Sequence, residues 1–463
     1  MSVDMLPNDV LLAIFDFCVN ESLYSFPFPK KEIEAWLPLV HVCRQWRSVV
    51  FGSPRRLRLR LVCATKAQTP VRDLLGLWPA FPLVIQGSAD RPEEFDNITA
   101  ALERNDRVCE ISLVDVSSSN LANLSAAMQK PFPELTFLSL SSSEVVTAIS
   151  DSFFESAPRL QILWLSGIPL PGLPKILLSA NHIVNVQLFD IPHLGYFSPE
   201  AIITALSTLT SLNSFRLEFR SPRSRPNWAS RRPPPLSRSV LPSLTTLRFK
   251  GVSEYLEDLV TRIDAPRLHS LDITLFNQIE FDAPKTIQFI RRTQALTTLE
   301  EARLVFKADT ADVRLLSQTS GSGIGISVKI LCRELDWQVS SLEQVCTSCL
   351  PPLSTLEDLY IYENTNSPPD WKGSIENMLW LELLSPFAAV KNLYLSENFA
   401  LRIAPVMQEL AGDRTTEAFP TLENIFLEGL QPSGPVQEGI LKFVAARQLS
   451  DHPITVSFWK RDH

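Results

Sequence analysis

The chain has 463 residues, of which 45% are hydrophobic and 20% charged, and its net charge at neutral pH is −8. A chain of this length and composition can bury a large core without a disulfide framework. The acidic balance argues against a general nucleic-acid-binding protein, because phosphate neutralisation needs clustered lysine and arginine. The seven cysteines are scattered, which is typical of a protein in a reducing compartment.

The N-terminal residues, MSVDMLPND, lack the basic-then-apolar pattern of a signal peptide. No uninterrupted apolar stretch reaches the ~18 residues that a membrane-spanning helix needs. The sequence therefore predicts a protein of the cytoplasm, the nucleus or both, without a membrane or nucleic-acid partner.

The first predicted helix follows Leu6 and Pro7. Asn8 can cap it, because an asparagine side chain accepts from the free amides of a first helical turn. Its apolar residues recur at helical spacing: Val10, Leu11, Ile14, Phe15 and Cys18.

A second amphipathic helix is predicted over LPLVHVCRQWRSVV, residues 37–50. Pro38 suits the first turn, and the GSP sequence at 52–54 ends the helix. The apolar stripe of this helix comprises Leu39, Val42, Cys43, Trp46, Val49 and Val50. Two short helices form a marginal domain by themselves, so the stripe packs either on the rest of the chain, as a cap, or partly on another protein.

Together, LPNDVLLAIFDF and WLPLVHVCRQWRSVV resemble the F-box, over Leu6 to about Pro54. F-box proteins bind the Skp adaptor of cullin-RING ubiquitin ligases through this module. Matched by position, the resemblance implies adaptor contacts at Leu6, Pro7, Val10, Ile14, Phe15, Val42, Cys43 and Trp46. The last three are expected to be shared with the internal core. Residues 20–35 make the link between the halves longer than usual, so this segment either loops out or alters their spacing.

The next segment, RRLRLRL at 55–61, alternates leucine with arginine. This alternation predicts a first strand with one buried face.

A cassette of the form apolar-x-x-apolar-x-apolar then recurs along the chain. Successive copies start 23 to 34 residues apart, except for one interval of 57 that contains a degenerate copy at 326–331. The copies are VCEISL (108–113), LTFLSL (135–140), LQILWL (160–165), IVNVQL (183–188), LNSFRL (212–217), LTTLRF (244–249), LHSLDI (268–273), LEEARL (299–304), LEDLYI (356–361), VKNLYL (390–395) and LENIFL (422–427), with ITVSF (454–458) as a possible closing strand.

This period is typical of leucine-rich repeats. A single repeat cannot cover the apolar face of its strand, so repeats stack and bury a continuous core. Helix-like segments separate the cassettes, at 199–207, 255–263, 284–293, 374–384 and 405–410. We therefore predict an α/β fold: a helical F-box over 1–54, then a curved leucine-rich-repeat-like solenoid over 55–463. The solenoid has about twelve repeats and a parallel sheet on its concave side. The alternative is a doubly wound α/β domain, which favours longer apolar strands and a glycine-rich first turn.

An F-box followed by irregular repeats, with RIAPVMQEL and FPTLENIFLEG late in the chain, is similar to the expanded F-box proteins of basidiomycete fungi. The resemblance implies that the F-box holds the ligase and that the repeats hold a target protein.

Three other motifs have simpler interpretations. GSGIGI at 321–326 lacks the lysine and preceding strand of a phosphate loop, which favours a turn. Cys346 and Cys349 form a C-x-x-C pair without the second pair that a structural zinc site needs. The Arg- and Pro-rich segment 220–239 indicates a disordered loop; the alternatives are a localisation or phosphate-attracting patch, or a phosphorylation target. We predict no catalytic residue, no metal and no cofactor.

The last inference concerns the residue between the final two apolar positions of each cassette. It must point away from the core, and in a solenoid that column lines the concave binding face. The column reads Ser112, Ser139, Trp164, Gln187, Arg216, Arg248, Asp272, Arg303, Tyr360, Tyr394 and Phe426. We expect Arg216, Arg248 and Arg303 to bind an acidic stretch of the target, and Tyr360, Tyr394 and Phe426 an apolar one.

The sequence thus predicts a non-catalytic substrate-recognition subunit of a Skp–cullin–F-box ubiquitin ligase, monomeric within its complex. The alternatives are a leucine-rich-repeat interaction scaffold without ligase association and an enzyme whose site assembles from distant residues.

Overall fold

The computed structural model describes residues 6–20, 34–64, 70–90, 92–144, 156–169, 177–226, 237–317, 325–371, 375–409, 419–429, 435–449 and 452–460. These form two compact units, Met1–Tyr196 and Phe197–His463. The domain boundary expected after residue 54 stays a prediction.

The first unit alternates helices with parallel strands. Its helices are α1 (Asn8–Asn20), α2 (Leu37–Val42), α3 (Arg44–Gly52), α4 (Val71–Leu77), α5 (Pro92–Leu102) and α6 (Ser118–Ala127). Its strands are β1 (Leu61–Ala64), β2 (Leu83–Ser88), β3 (Val108–Val114), β4 (Phe137–Ser141), β5 (Ile162–Ser166) and β6 (Asn185–Ile191). These strands pair in chain order, and each pair is parallel.

The second unit repeats the same alternation. Its helices are α7 (Pro199–Leu206), α8 (Ser253–Thr261), α9 (Pro284–Arg292), α10 (Leu335–Ser348), α11 (Asn377–Leu384), α12 (Glu397–Glu409) and α13 (Pro435–Leu449). Its strands are β7 (Ser214–Phe219), β8 (Ser239–Val240), β9 (Thr246–Gly251), β10 (Ile263–Asp264), β11 (Ser270–Phe276), β12 (Glu301–Phe306), β13 (Thr310–Leu316), β14 (Gly325–Leu331), β15 (Asp358–Glu363), β16 (Asn392–Leu395), β17 (Asn424–Glu428) and β18 (Thr455–Trp459). Strands β8 and β10 form a separate pair.

Each predicted cassette contains a strand, because its apolar positions alternate toward one buried face. In β7, for example, Phe215, Leu217 and Phe219 are buried, whereas the intervening Arg216 and Glu218 are only half-buried. The mixed α/β class with a mainly parallel sheet is therefore as predicted. The predicted helices also have counterparts in α7, α8, α9, α11 and α12.

A hairpin interrupts the parallel order of the second unit. The strands pair in the order β7, β9, β11, β14, β13, β12, β15, β16, β17 and β18. Strand β13 is antiparallel to both β12 and β14, and a short turn at Lys307 closes with a 2.8 Å hydrogen bond from its amide to the Thr310 carbonyl. The expectation of a purely parallel sheet is therefore wrong here.

The predicted strand over 55–61 is displaced. Leu57 and Leu59 are buried as expected, but their amides donate to the Ser53 and Pro54 carbonyls in local turns, and Arg58 has a left-handed φ of 48°. The first strand begins only at Leu61. The alternation of leucine and arginine therefore predicts correctly that Leu57 and Leu59 are buried, but the turn hydrogen bonds determine the backbone conformation.

The helix predicted over residues 37–50 is two helices. Cys43 adopts an extended conformation (φ −156°, ψ 172°), and its sulfur accepts from the Trp46 amide at 3.5 Å. Cys43 therefore ends α2 and caps α3, and the apolar stripe is divided at that residue.

The buried carboxylate of Glu257 in α8 supplies the cap that α9 lacks. The N-cap residue of α9, Ala283, has no side-chain acceptor. Glu257 instead accepts from the amides of Lys285 (2.9 Å) and Thr286 (2.7 Å), and also from the Thr286 hydroxyl (2.8 Å). Helix α9 is thereby tied to the preceding repeat.

We expect Glu257→Ala to destabilise the second unit by about 1–2 kcal/mol, because it removes the acceptor for these first-turn donors. Urea unfolding followed by circular dichroism measures the change. Glu280→Ala, which truncates an exposed acid in the preceding loop, is the control and should leave the midpoint unchanged. Equal midpoints for the two variants would contradict the capping role.

Candidate functional site

Helix α1 is apolar on two faces, and its inner face is buried within the first unit. Leu11 and Phe15 are fully buried. The Phe15 ring packs on Trp46 of α3, with ring centroids 4.7 Å apart. Gln45 ties the start of α1 to α3, because its Nε2 donates to the Leu6 carbonyl at 3.4 Å and to Asn8 Oδ1 at 3.3 Å.

The outer face of α1, continued by Pro7 just before the helix, carries a row of exposed apolar side chains, which we call the α1 stripe: Pro7, Val10, Ile14 and Phe17. Val10 is 40% exposed, Ile14 43% and Phe17 65%. Val42, at the end of α2, is 58% exposed. A row of large exposed apolar side chains is a candidate interaction surface.

The predicted adaptor contacts therefore divide into three groups. Pro7, Val10, Ile14 and Val42 are exposed, whereas Leu6, Cys43 and Trp46 are half-buried. Phe15 has no exposed surface to offer a partner, because it fills the space against Trp46. Phe17 was missed by the sequence analysis, although its spacing from Val10 and Ile14 continues the same face.

The helices are anchored to the repeats through Trp36, which is fully buried. Its ring meets those of Phe51, Trp78 and Phe81, with centroids 6.3, 5.4 and 5.4 Å away. Its indole N–H donates to the Arg60 carbonyl at 3.0 Å. The N-terminal helices therefore share a core with the first strands of the repeats.

In the second unit, the predicted column of outward residues forms one continuous register across ten strands. We call it the sheet-face row: Arg216, Arg248, Asp272, Ser327, Arg314, Arg303, Tyr360, Tyr394, Phe426 and Ser457. Ser327, Arg314 and Ser457 were not in the predicted column. Arg314 lies on β13, which belongs to no cassette, whereas Ser327 lies on the degenerate copy at 326–331 and Ser457 on the short closing strand.

The corresponding row of the first unit is less suited to binding. Gln86, Ser112, Ser139, Trp164 and Gln187 lie in register, but Ser139 and Trp164 are buried. The better-exposed candidate face is therefore in the second unit.

Each arginine of the sheet-face row already has an acidic neighbour. Arg216 pairs with Glu218 and Arg303 with Glu301 on the same strands. Arg248 lies 4.0 Å from Asp272 on the next strand, and Arg314 lies 2.7 Å from the fully buried Asp312. An acidic target segment would therefore have to compete with resident carboxylates.

Three aromatic rings of the row stack face to face, and we call them the aromatic ladder: Tyr360, Tyr394 and Phe426. The centroids of Tyr360 and Tyr394 are 4.1 Å apart at an interplanar angle of 7°, and those of Tyr394 and Phe426 are 4.4 Å apart at 8°. Burial raises the pKa of the Tyr360 hydroxyl, and its neighbours Tyr394 and Glu301 raise it further. The ladder is a rigid apolar strip with carboxylates beside it.

The remaining predicted motifs do not converge on a site. Cys346 and Cys349 are both buried, and burial raises the pKa of Cys349 to about 12. Within the described ranges, no three histidine, cysteine or acidic side chains are placed to hold a metal ion. Most of GSGIGI and residues 227–236 of the Arg/Pro segment lie outside the described residues. None of the described helices is long and apolar enough to cross a membrane.

No family model and no curated protein sequence matches this chain. Among solved structures, it is similar to the leucine-rich repeat-containing protein LegL7 from Legionella pneumophila, with 13% identity, a TM-score of 0.29, and coverage of 83% of this chain and 97% of that chain. A TM-score this low carries no argument about function. The leucine-rich-repeat-like class rests on the cassette period and the parallel register of the strands.

Proposed function

We propose that this protein is a substrate-recognition subunit of a Skp–cullin–F-box ubiquitin ligase and is not itself an enzyme. The N-terminal helices bind the Skp-type adaptor through the α1 stripe and Val42. The sheet-face row of the second unit binds the target protein. The ligase then modifies the target because the two are held close together. The protein acts in the cytoplasm or the nucleus, as a monomer within its complex.

The α1 stripe is the observation that carries this proposal. Three apolar side chains of α1, and Pro7 just before it, face solvent, while the opposite face of the helix is packed on α3. Exposing them costs solvation free energy, at roughly 25 cal/mol per Å² of apolar surface, which a partner surface recovers. The stripe lies within the segment that resembles the F-box, and Pro7, Val10 and Ile14 belong to both sets.

We expect the double substitution Val10→Asp and Ile14→Asp to weaken binding of a purified Skp-type adaptor by at least about 100-fold, because it places two charges in an apolar interface. Isothermal titration calorimetry measures the affinity. Both side chains already face solvent, so circular dichroism should show an unchanged fold.

The matched control is Leu441→Asp on α13. Leu441 is 50% exposed on a helix of the second unit, so the same substitution tests for a general effect of added charge. Unchanged adaptor binding in the Val10/Ile14 variant, or an equal loss in Leu441→Asp, would reject the proposed interface.

The burial of Trp36 favours a second candidate function. Because Trp36 joins the helices to the repeats, the helices also meet the description of a cap on a repeat array. On this alternative, the protein is an interaction scaffold without ligase association. The scaffold alternative predicts that the wild-type chain does not bind the adaptor and that the sheet-face row still binds a partner.

A further inference from the structure

The aromatic ladder lies in an acidic part of the sheet face. On strands β15 to β18, one neighbouring row of outward residues lies on each side of the ladder. The described residues of the three rows include two carboxylates, those of Asp358 and Glu428, and no lysine or arginine. These residues are Asp358, Tyr360, Tyr362, Asn392, Tyr394, Asn424, Phe426, Glu428, Thr455, Ser457 and Trp459. The arginines of the sheet-face row lie instead on β7 to β13. The guanidinium groups of the row therefore lie on the β7 to β13 side, each beside a carboxylate, whereas the ladder side of the face is aromatic and acidic.

The two ends of the ladder differ. At one end, the guanidinium of Arg303 lies over the Tyr360 ring, 5.3 Å from its centroid, and pairs with Glu301. At the other end, the register neighbour of Phe426 is Ser457, which is exposed and too small to cover an aromatic ring. Among the residues that the structure describes, the last ring thus has room for one further planar group above Ser457.

Fixed side chains border the ladder on both sides. The indole of Trp459 stands edge-on to Tyr360 and Tyr394, with centroids 5.7 and 5.4 Å away, and its N–H donates to the Leu395 carbonyl at 3.4 Å. Along the other side, Asn392 donates to Asp358 at 2.7 Å, and Asn424 donates to Asn392 at 2.8 Å. The rings are therefore held in place before any partner arrives.

We propose that a basic segment of the target protein inserts an arginine over Ser457, where its guanidinium stacks on Phe426 beside Glu428. This inference rests on the proposed function, since it names the chemistry of the target that the sheet-face row binds. It replaces the expectation that the ladder holds a purely apolar stretch.

The charge and the planar shape of a guanidinium group favour an arginine as the group, here called the guest, that binds over Ser457. A guanidinium is planar and stacks on aromatic faces, whereas a lysine ammonium is a strongly hydrated point charge. Attraction between a cation and an aromatic ring adds to the attraction of Glu428, which lies on the strand next to Ser457. An acidic guest would meet that carboxylate, and a neutral aromatic guest would gain nothing from it. The protein already uses the same pairing at the other end, between Arg303 and Tyr360.

The test uses the full chain and three synthetic peptides: acetyl-Gly-Arg-Gly-Arg-Gly-amide and its lysine and glutamate counterparts. Calorimetry at low ionic strength should show the arginine peptide binding about threefold or more tighter than the lysine peptide, and no binding of the glutamate peptide to the ladder. Phe426→Leu, which keeps the apolar volume and the local charges, should weaken arginine-peptide binding by about threefold to tenfold.

Two further variants complete the test. Phe137→Leu is the matched control, because Phe137 is a half-buried sheet-face phenylalanine of the first unit; it should leave peptide binding unchanged. Ser457→Tyr extends the ladder by one ring, so it should abolish arginine-peptide binding while leaving the fold intact. This variant keeps the test decisive if Phe426→Leu unfolds.

The inference is overturned if the arginine peptide does not bind, if it binds wild type and Ser457→Tyr equally, or if the glutamate peptide binds at Phe426. Adaptor binding is measured on the same preparations. Loss of adaptor binding with retained arginine-peptide binding rejects the ligase assignment alone, whereas the reverse pattern rejects only the arginine site.

Discussion

Trp36→Ala is expected to destabilise the first unit by about 3–5 kcal/mol, the range for truncating a large buried aromatic side chain. The ring is fully buried and meets three other aromatic rings. Truncation leaves a cavity among them and also leaves the Arg60 carbonyl without its indole donor. Chemical unfolding of the full chain, followed by tryptophan fluorescence, measures the loss.

Two comparisons make this expectation specific. Trp36→Phe keeps most of the ring contacts and removes the hydrogen bond, so its effect should be about 1–2 kcal/mol. Phe17→Ala truncates an exposed aromatic side chain on α1 and should be near neutral for stability. A Trp36→Ala variant as stable as Phe17→Ala would show that the helices are not anchored through this residue.

The Trp36 anchor also bears on the choice between adaptor binding and capping. Trp46 lies in the same helices but is only half-buried, so Trp46→Ala is expected to cost less than the fully buried Trp36. Trp36→Ala should be compared for its loss of adaptor binding and its loss of folded first unit. If the two losses are equal, the α1 stripe binds the adaptor without a direct contribution from Trp36. If the helices detach and still bind the adaptor, the module functions without the repeats.

The strands could be predicted because their signal is local. Apolar residues at alternate positions, recurring every 23 to 34 residues outside the one interval of 57, are required wherever a short strand must bury one face against its neighbours. The same alternation orients the intervening residues, which is why Tyr360, Tyr394 and Phe426 lie in register as expected.

The hairpin could not be predicted from repeat spacing, because β13 belongs to no cassette. Its residues do alternate, with Asp312 and Arg314 on one face and Val313 and Leu315 on the other. The turn before it carries no glycine or proline, so the usual hairpin signal is missing. The alternation of polar and apolar residues was therefore the sequence signal that could have indicated β13.

The sequence alone did not show which apolar residues of α1 face the core and which face solvent. Both Val10 and Leu11 fit an apolar helical face, and it is the packing of α1 on α3, where Phe15 meets Trp46, that turns Leu11 and Phe15 inward. The ion pairs of the arginines had a local signal, because Glu218 and Glu301 lie two residues from Arg216 and Arg303 on the same strand face. The stacking of the rings depends on rotamers that the sequence does not specify.

Arg447→Ala is expected to destabilise the last repeats of the second unit by about 3–5 kcal/mol. Arg447 is fully buried in α13, and its guanidinium donates to the carbonyls of Phe419 (3.1 Å), Pro420 (3.2 Å) and Leu422 (3.4 Å). Alanine leaves these carbonyls without that donor and opens a cavity. Phe419 also has a left-handed φ of 52°, a conformation that is costly for a non-glycine residue and needs support from its surroundings.

The loss of stability should reach the proposed binding face, because these carbonyls belong to the loop that leads into β17 and hence to Phe426. Urea unfolding of the full chain measures stability, and arginine-peptide binding reports the position of Phe426. Arg447→Lys should restore part of the stability, since all three hydrogen bonds come from one nitrogen, Nη2, and an ammonium also carries three donors. Lys442→Ala on the same helix removes only an exposed ion pair with Glu438, worth about 0.3–0.5 kcal/mol. If Arg447→Ala lowers stability no more than Lys442→Ala, the loop is held by its other contacts and Phe426 does not depend on Arg447.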